Sequence, residues 1–297
     1  MISGASGAFV DPADYALATM ARQHRLNIDA TIRALHTSAA VSHVSAAVMH
    51  GLPLWGLPLT KVDLTRQRHG GGSSNRHKVM HALPLADNEI TRIDGIAVTS
   101  LARTIIDVAR IEHFEPAVIM GDHALNTASL TEDDLVPVVD GLRGRKGSRH
   151  AIAALATMDM RSESVGETRC RLALHRLGIP PSSLQRVARY QGRFVGRVDF
   201  AYEDQGIIGE FDGLLKYKLD GLAADERSGA LAKEKAREEA LRGLGLQVFR
   251  VVWEDLSRPS VIRHKFEMAR ALAAGSPAPL WDPRRPGDDY RPRRWAR

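Results

Sequence analysis

Between Arg197 and Tyr217 the chain reads RVDFAYEDQGIIGEFDGLLKY, two runs of period-two alternation around a polar turn. That pattern confines the stretch to a β-hairpin. In the first arm Val198, Phe200 and Tyr202 fall on one side, and Arg197, Asp199 and Ala201 on the other. In the second arm Ile208, Glu210 and Asp212 share a face, while Ile207, Gly209 and Phe211 take the opposite one. A turn centred on Asp204-Gln205 sets Asp199 across from Glu210, and a loop one residue longer or shorter would shift that register.

Like charges placed opposite one another destabilise a sheet. Three carboxylates on one hairpin face therefore point either to a bound cation or to a solvated edge. The cation reading calls for Mg²⁺ or Mn²⁺, with Asp199 and Glu210 as ligands. Such ions are commonly held by one or two carboxylates, with water and substrate phosphate completing the shell. A metal so held polarises a phosphoryl oxygen and lowers the pKa of an attacking water.

Upstream, Ser164-x-x-Glu167 before an amphipathic run reads as a capping box, ended by Gly178 and Pro180-Pro181. Downstream, Arg250 lies among Leu246, Val248 and Val252, where a guanidinium either reaches a carboxylate or phosphate or extends to the sheet edge.

The chain has 297 residues, enough for two domains that each bury a core. The formal net charge of +6 favours an anionic partner such as nucleic acid, DNA in the first place. No apolar stretch approaches the ~20 residues of a membrane span, and the start lacks the basic and apolar regions of a signal peptide. With a single cysteine, Cys170, no intrachain disulfide forms, and a cytoplasmic location is expected. Cys170 lies on the Glu167 helix and reads as packed rather than reactive.

The basic, glycine-rich run 141–150 divides the chain, giving an N-terminal domain over 1–150, a linker over 151–163 and a C-terminal domain over 164–275. The proline- and arginine-rich remainder, 276–297, is expected to be disordered.

In the first domain, helices are expected over 13–36 and from Val41 to His50, and strands at Val62–Thr65 and Lys78–His81. Between these strands lies a glycine-rich loop whose Arg66, Arg68, Arg76 and Lys78 suit phosphate contacts. It carries no aromatic residue for base stacking, and a solvated hairpin tip is the competing reading. A capped helix follows Ser100, and Thr131 to Asp134 opens another. Ten of the twelve histidines fall in this half, yet none shows a paired spacing with cysteine or carboxylate, so no structural metal is expected there.

The C-terminal half resembles the PD-(D/E)XK nuclease superfamily, in its branch similar to very-short-patch-repair endonucleases. The resemblance rests on Glu210-Phe211-Asp212-Gly213-Leu214-Leu215-Lys216, then Glu234-Lys235-Ala236-Arg237, Leu241, Gly245 and Val248-Phe249-Arg250, with Glu167 on the upstream helix. It covers roughly residues 160 to 275. It implies a restriction-endonuclease-like αβββαβ domain and hydrolysis of nucleic-acid phosphodiester bonds, with Asp199, Glu210, Asp212 and Glu167 around the metal. Asp212 stands where the signature lysine is usual, Lys216 where a histidine is usual, and Glu234 where an aspartate is usual. Lys216 or Lys235 would then supply the positive charge.

The N-terminal half resembles the abortive-infection type IV antitoxin (AbiEi-like) domain. The residues that carry this are Val41 to His43, Ser45 to Ala47, His50 to Leu54, Val98 to Ser100, Arg103-Thr104 and Asp107. This implies a mixed α+β regulator-type domain with a toxin as protein partner. Such proteins usually begin with a DNA-binding winged helix, of which only 6–10 could correspond to a final strand.

Overall fold

The computed structural model describes residues 15–16, 18–67, 71–111, 113–213 and 224–282, with backbone alone for 224–231 and 234. The chain divides between Met160 and Arg161 into two compact units. Each is mixed α/β and built on a sheet with both parallel and antiparallel pairs. No helix among the described residues is long and apolar enough to cross a membrane.

Helices among the described residues of the first unit include α1 (Met20–Arg33), α2 (His43–Met49), α3 (Leu101–Arg110), α4 (Phe114–Asn126), α5 (Glu132–Gly141) and α6 (Ser148–Thr157). Its strands are β1 (Ala40–Val41), β2 (Val62–Arg66), β3 (Ser73–Ser74), β4 (Lys78–Ala82), β5 (Ile90–Ile93) and β6 (Ile96–Thr99), in the order β3-β4-β2-β1-β6-β5. Helix α2 starts at His43 rather than Val41 because Val41 pairs with Leu64 in the sheet. Strands β2 and β4 run parallel, Val62 beside Lys78, so the glycine-rich connection between them cannot be a hairpin tip. Its Ser73–Ser74 segment folds back antiparallel on β4 instead.

Strands β5 and β6 do form a hairpin. Asp94 and Gly95 both have positive φ, +50° and +79°, the primed turn that Asp-Gly favours. The core gathers Ile28, Val41, Met49, Val62, Leu64, Met80 and Val98. On α3, fully buried Arg103 holds the Asp107 carboxylate at 2.8 Å and Glu89 at 2.7 Å, a buried network that is costly to break at any one member. Helix α6 occupies most of the span expected as linker and buries Ala151, Ala154 and Leu155.

In the second unit the order is α7 (Val165–Arg176), β7 (Ser183–Tyr190), β8 (Arg193–Tyr202), β9 (Ile207–Phe211), α8 (Ala224–Gly243), β10 (Gln247–Val251) and α9 (Pro259–Ala274). The sheet runs β10-β9-β8-β7, with β10 parallel to β9 after the α8 crossover. Helices cover both faces. Cys170 and Leu174 of α7 and Ile262 and Phe266 of α9 pack on Phe200, Tyr202, Ile207 and Phe249. Leu241 of α8 and Leu244 in the turn that follows it pack on Ala188, Val198, Ala201 and Ile208. Cys170 is fully buried, which pushes its thiol well up and leaves it inert.

One expectation about the hairpin fails. Val198 does not share a face with Phe200 and Tyr202 but packs with Ala201 and Ile208 on the α8 side. The alternation slips at Asp199. The β8–β9 register itself follows the expected sum, with Tyr202, Ala201 and Phe200 opposite Ile207, Ile208 and Gly209, and its regular pairing stops there. The start of the tail also differs: Leu280 donates its amide to the Leu244 carbonyl, Asp282 to that of Arg189, and Trp281 packs against the core cluster that includes Ala188, Val198 and Leu246. Residues 276–282 are thus anchored to the sheet.

Candidate active site

Helix α7 is capped by Ser164, whose Oγ accepts the Glu167 amide at 3.1 Å. Glu167 returns the bond: Oε1 accepts from Ser164 Oγ at 2.8 Å and Oε2 from the Glu163 amide at 2.9 Å. Ser164 thus caps the helix, but the Glu167 side chain returns to the Ser164 hydroxyl and the preceding Glu163 amide rather than to the N-cap amide that a capping box uses, and the same carboxylate also faces the sheet. Gln185 Nε2 on β7 donates to Glu167 Oε2 at 2.9 Å and to Asp199 Oδ1 at 3.2 Å. Two carboxylates from different elements converge on one nitrogen. Gln185 has φ +50°, a backbone state unusual for a non-glycine residue inside a strand.

Asp199 Oδ2 accepts the Phe211 amide at 2.8 Å, a side chain serving where regular strand pairing has ended. Burial first, and the Glu167 charge second, raise the Asp199 carboxyl to about 6, against the pull of its hydrogen bonds. Glu210 is 7% exposed. Burial raises its pKa too, with Arg237 and Arg250 working the other way.

Arg237 of α8 reaches Glu210 Oε1 at 2.7 Å and the Arg197 carbonyl at 3.1 Å. Arg250, directly beside Glu210 in the sheet, lies 3.3 Å from Glu210 Oε2, 3.6 Å from Asp212 Oδ2 and 2.9 Å from Glu238 Oε2. Its guanidinium is engaged by carboxylates rather than presented to solvent for phosphate. Phe211 stands edge-on to Trp253 at 5.2 Å, and Trp253 Nε1 donates to the Gly213 carbonyl, which walls the site on the β10 side.

Of the five residues expected to carry chemistry, Glu167 and Asp199 meet through Gln185, and Glu210 and Asp212 meet through Arg250. Lys216 lies outside the described residues, as does Arg68. Among the described residues Lys235 does not pair with the acidic groups of the site: its side chain is 79% exposed and lies 3.9 Å from Glu239. The α8 cation that does reach them is Arg237, which the motif contained without a role, and Gln185 is a residue the sequence reading passed over. Among the described residues no group of three or more His, Cys, Asp or Glu side chains is gathered for a metal. The Glu167–Asp199 pair supplies hard oxygen donors of the number magnesium commonly takes from protein, so the donor set fits Mg²⁺ or Mn²⁺.

In the first unit, Arg66 ends β2 half-buried, its Nε without a hydrogen-bond partner among the described residues. Exposed Arg76 donates to His77 Nε2 at 2.7 Å, and half-buried Lys78 opens β4. The histidines there form a small polar stack: His43 lies on His81 with ring centroids 3.7 Å apart, and His81 Nε2 meets Asp63 Oδ1 at 2.9 Å. Burial, and next the neighbouring His81, push the His43 pKa well down.

No family model and no solved structure matches the chain. Two Mycobacterium tuberculosis proteins, from strains CDC 1551 and H37Rv and both described as uncharacterized, are each 27% identical to it over 169 residues. The match covers 57% of this chain and 59% of either relative.

Proposed function

We propose that the C-terminal unit is a metal-dependent endonuclease-type hydrolase of nucleic-acid phosphodiester bonds, with DNA as the first substrate to test. The observation that carries this is the meeting of Glu167 and Asp199 at the Gln185 amide, with Asp199 held near pKa 6 in a mostly buried position. Two partly desolvated carboxylates brought together without a cation between them are a destabilising arrangement that a divalent ion relieves. The element order α7-β7-β8-β9-α8-β10 supports the same reading, because it is the order that the endonuclease-like resemblance implies.

Bound Mg²⁺ or Mn²⁺ would supply a polarised phosphoryl oxygen and an activated water. Asp199 and Glu167 would hold the ion, and Gln185 keeps their oxygens aimed at a common point. Arg237 and Arg250 fix Glu210 and Asp212, their guanidiniums engaged with these carboxylates. Lys216 is the candidate for stabilising charge that develops on the phosphate. In this reading Asp199→Ala abolishes Mg²⁺-dependent cleavage of a DNA panel while leaving DNA binding intact or stronger. Unchanged cleavage removes Asp199 from the site.

A second reading is favoured by the two arginines on Glu210 and Asp212, together with aspartate in place of the signature lysine. Under it the unit is a non-catalytic nucleic-acid-binding module within an antitoxin-type regulator. The N-terminal unit, by its resemblance, would then be the regulatory part, with a toxin as partner in the cytoplasm. Wild-type protein that binds DNA but cleaves nothing with either metal selects this reading.

A further inference from the structure

The β7–β8 hairpin projects a tip that neither reading of the acidic site uses. Tyr190 is 39% exposed and Phe194 62% exposed, although both belong to strands whose inner parts are buried. The stretch from Arg186 to Arg197 holds four arginines and no acid. Arg197 is paired with Glu163, whereas neither Arg189 nor Arg193 has an ion-pair partner among the described residues. The register sets Arg189 opposite Phe194 and Tyr190 opposite Arg193. Residues directly opposite share a face, so each face of the tip carries one ring beside one guanidinium.

The tip is also held rigid. Gln191 and Gly192 both have positive φ, +50° and +78°, which makes a two-residue primed turn. The Asp282 carboxylate accepts both turn amides, from Gln191 at 3.0 Å and Gly192 at 2.8 Å, and Arg186 holds the Asp282 carbonyl at 2.8 Å. Asp282 spends its charge on the turn backbone, and the rings and guanidiniums stay outside.

We propose that this tip is a docking site for single-stranded or locally unpaired nucleic acid, with Phe194 stacking on a base and Arg189 and Arg193 contacting its phosphates. Aromatic faces stack on any base, and arginines beside them track the backbone. A paired duplex hides its base faces, so only the arginine contribution remains there. The tip and Asp199 share strand β8, five residues and about 17 Å apart, so a strand held at Phe194 is fixed relative to the acidic site. The proposal names the substrate class of the hydrolase reading and takes its purpose from it, while the binding itself needs no metal.

The test is fluorescence anisotropy of the full chain with a labelled oligothymidylate and with a blunt duplex of equal length, in metal-free buffer on an Asp199→Ala background. Cleavage and metal binding then play no part in the result. Phe194→Ala is expected to weaken single-strand binding about tenfold and duplex binding less than twofold. Phe194→Trp is expected to retain affinity and to show indole quenching on addition of oligothymidylate. Arg189→Ala with Arg193→Ala is expected to weaken both ligands and flatten the salt dependence. Equal loss on both ligands in Phe194→Ala, no change in indole emission in Phe194→Trp, or no single-strand binding at all would overturn the proposal. The last outcome would leave the tip as a protein-docking surface.

Discussion

Asp199 couples the candidate site to stability. Its folded carboxyl titrates near 6, against an ordinary value of 3.8. Between those values the folded chain keeps a proton that the unfolded chain has lost. The group therefore favours the folded state fully below the unfolded pKa, and that contribution fades as pH rises through about 6. Two pKa units correspond to at most roughly 3 kcal/mol. Asp199→Asn, which cannot ionise, is expected to gain on wild type by up to that amount between pH 4 and pH 7, measured by thermal melts at both values. A difference that stays flat with pH would contradict the assignment. The turn was legible and sets the β8–β9 register, but the alternation slips at Asp199, which shares Gln185 with Glu167 instead of pairing with Glu210 in the ladder. Gln185 was not legible, since its place beside Asp199 depends on how β7 pairs with β8. Arg237 left a signal that went unused: with Leu241 it has the i, i+4 spacing of one helix face, so it shares that residue's sheet-facing side. Lys235, two residues earlier, falls on the far side of the helix.

At the level of elements, the sheet of the second unit depends on one close approach. A Cβ on Gly209 would lie 2.5 Å from Cζ of Phe249, whose ring also packs edge-on against Phe266 at 5.7 Å. Gly209→Ala must push that ring into the α9 face, and overpacking of this kind costs about 1–3 kcal/mol. A urea melt of the variant is expected to show a lower midpoint with an unchanged slope, and an unchanged midpoint would mean that the ring moves freely. Strands Val62–Thr65 and Lys78–His81 were readable from their composition, but their parallel pairing was not, because period-two patterning carries no direction. The β5–β6 hairpin was announced by Asp94-Gly95 and overlooked, its strands being short and half polar. Trp281 and Asp282 show the limit of compositional reading. A proline-rich tail looks solvated until a single ring and a single carboxylate find places on the sheet.

For the whole molecule, basic charge and a two-unit plan were available from the sequence, and both restrict the partner more than the chemistry. What separates a hydrolase from a binding module is whether Glu167 and Asp199 take up a metal. Proton competition at Asp199 makes that uptake weaker at pH 5 than at pH 7. The most direct measurement is calorimetric titration of Mg²⁺ and Mn²⁺ at pH 7 into wild type and Asp199→Ala, with phosphorothioate DNA present to complete the site. The predicted result is saturable binding by wild type that disappears in the variant. Absence of metal binding by wild type with DNA present, or equal binding by both proteins, would contradict the metal-site account.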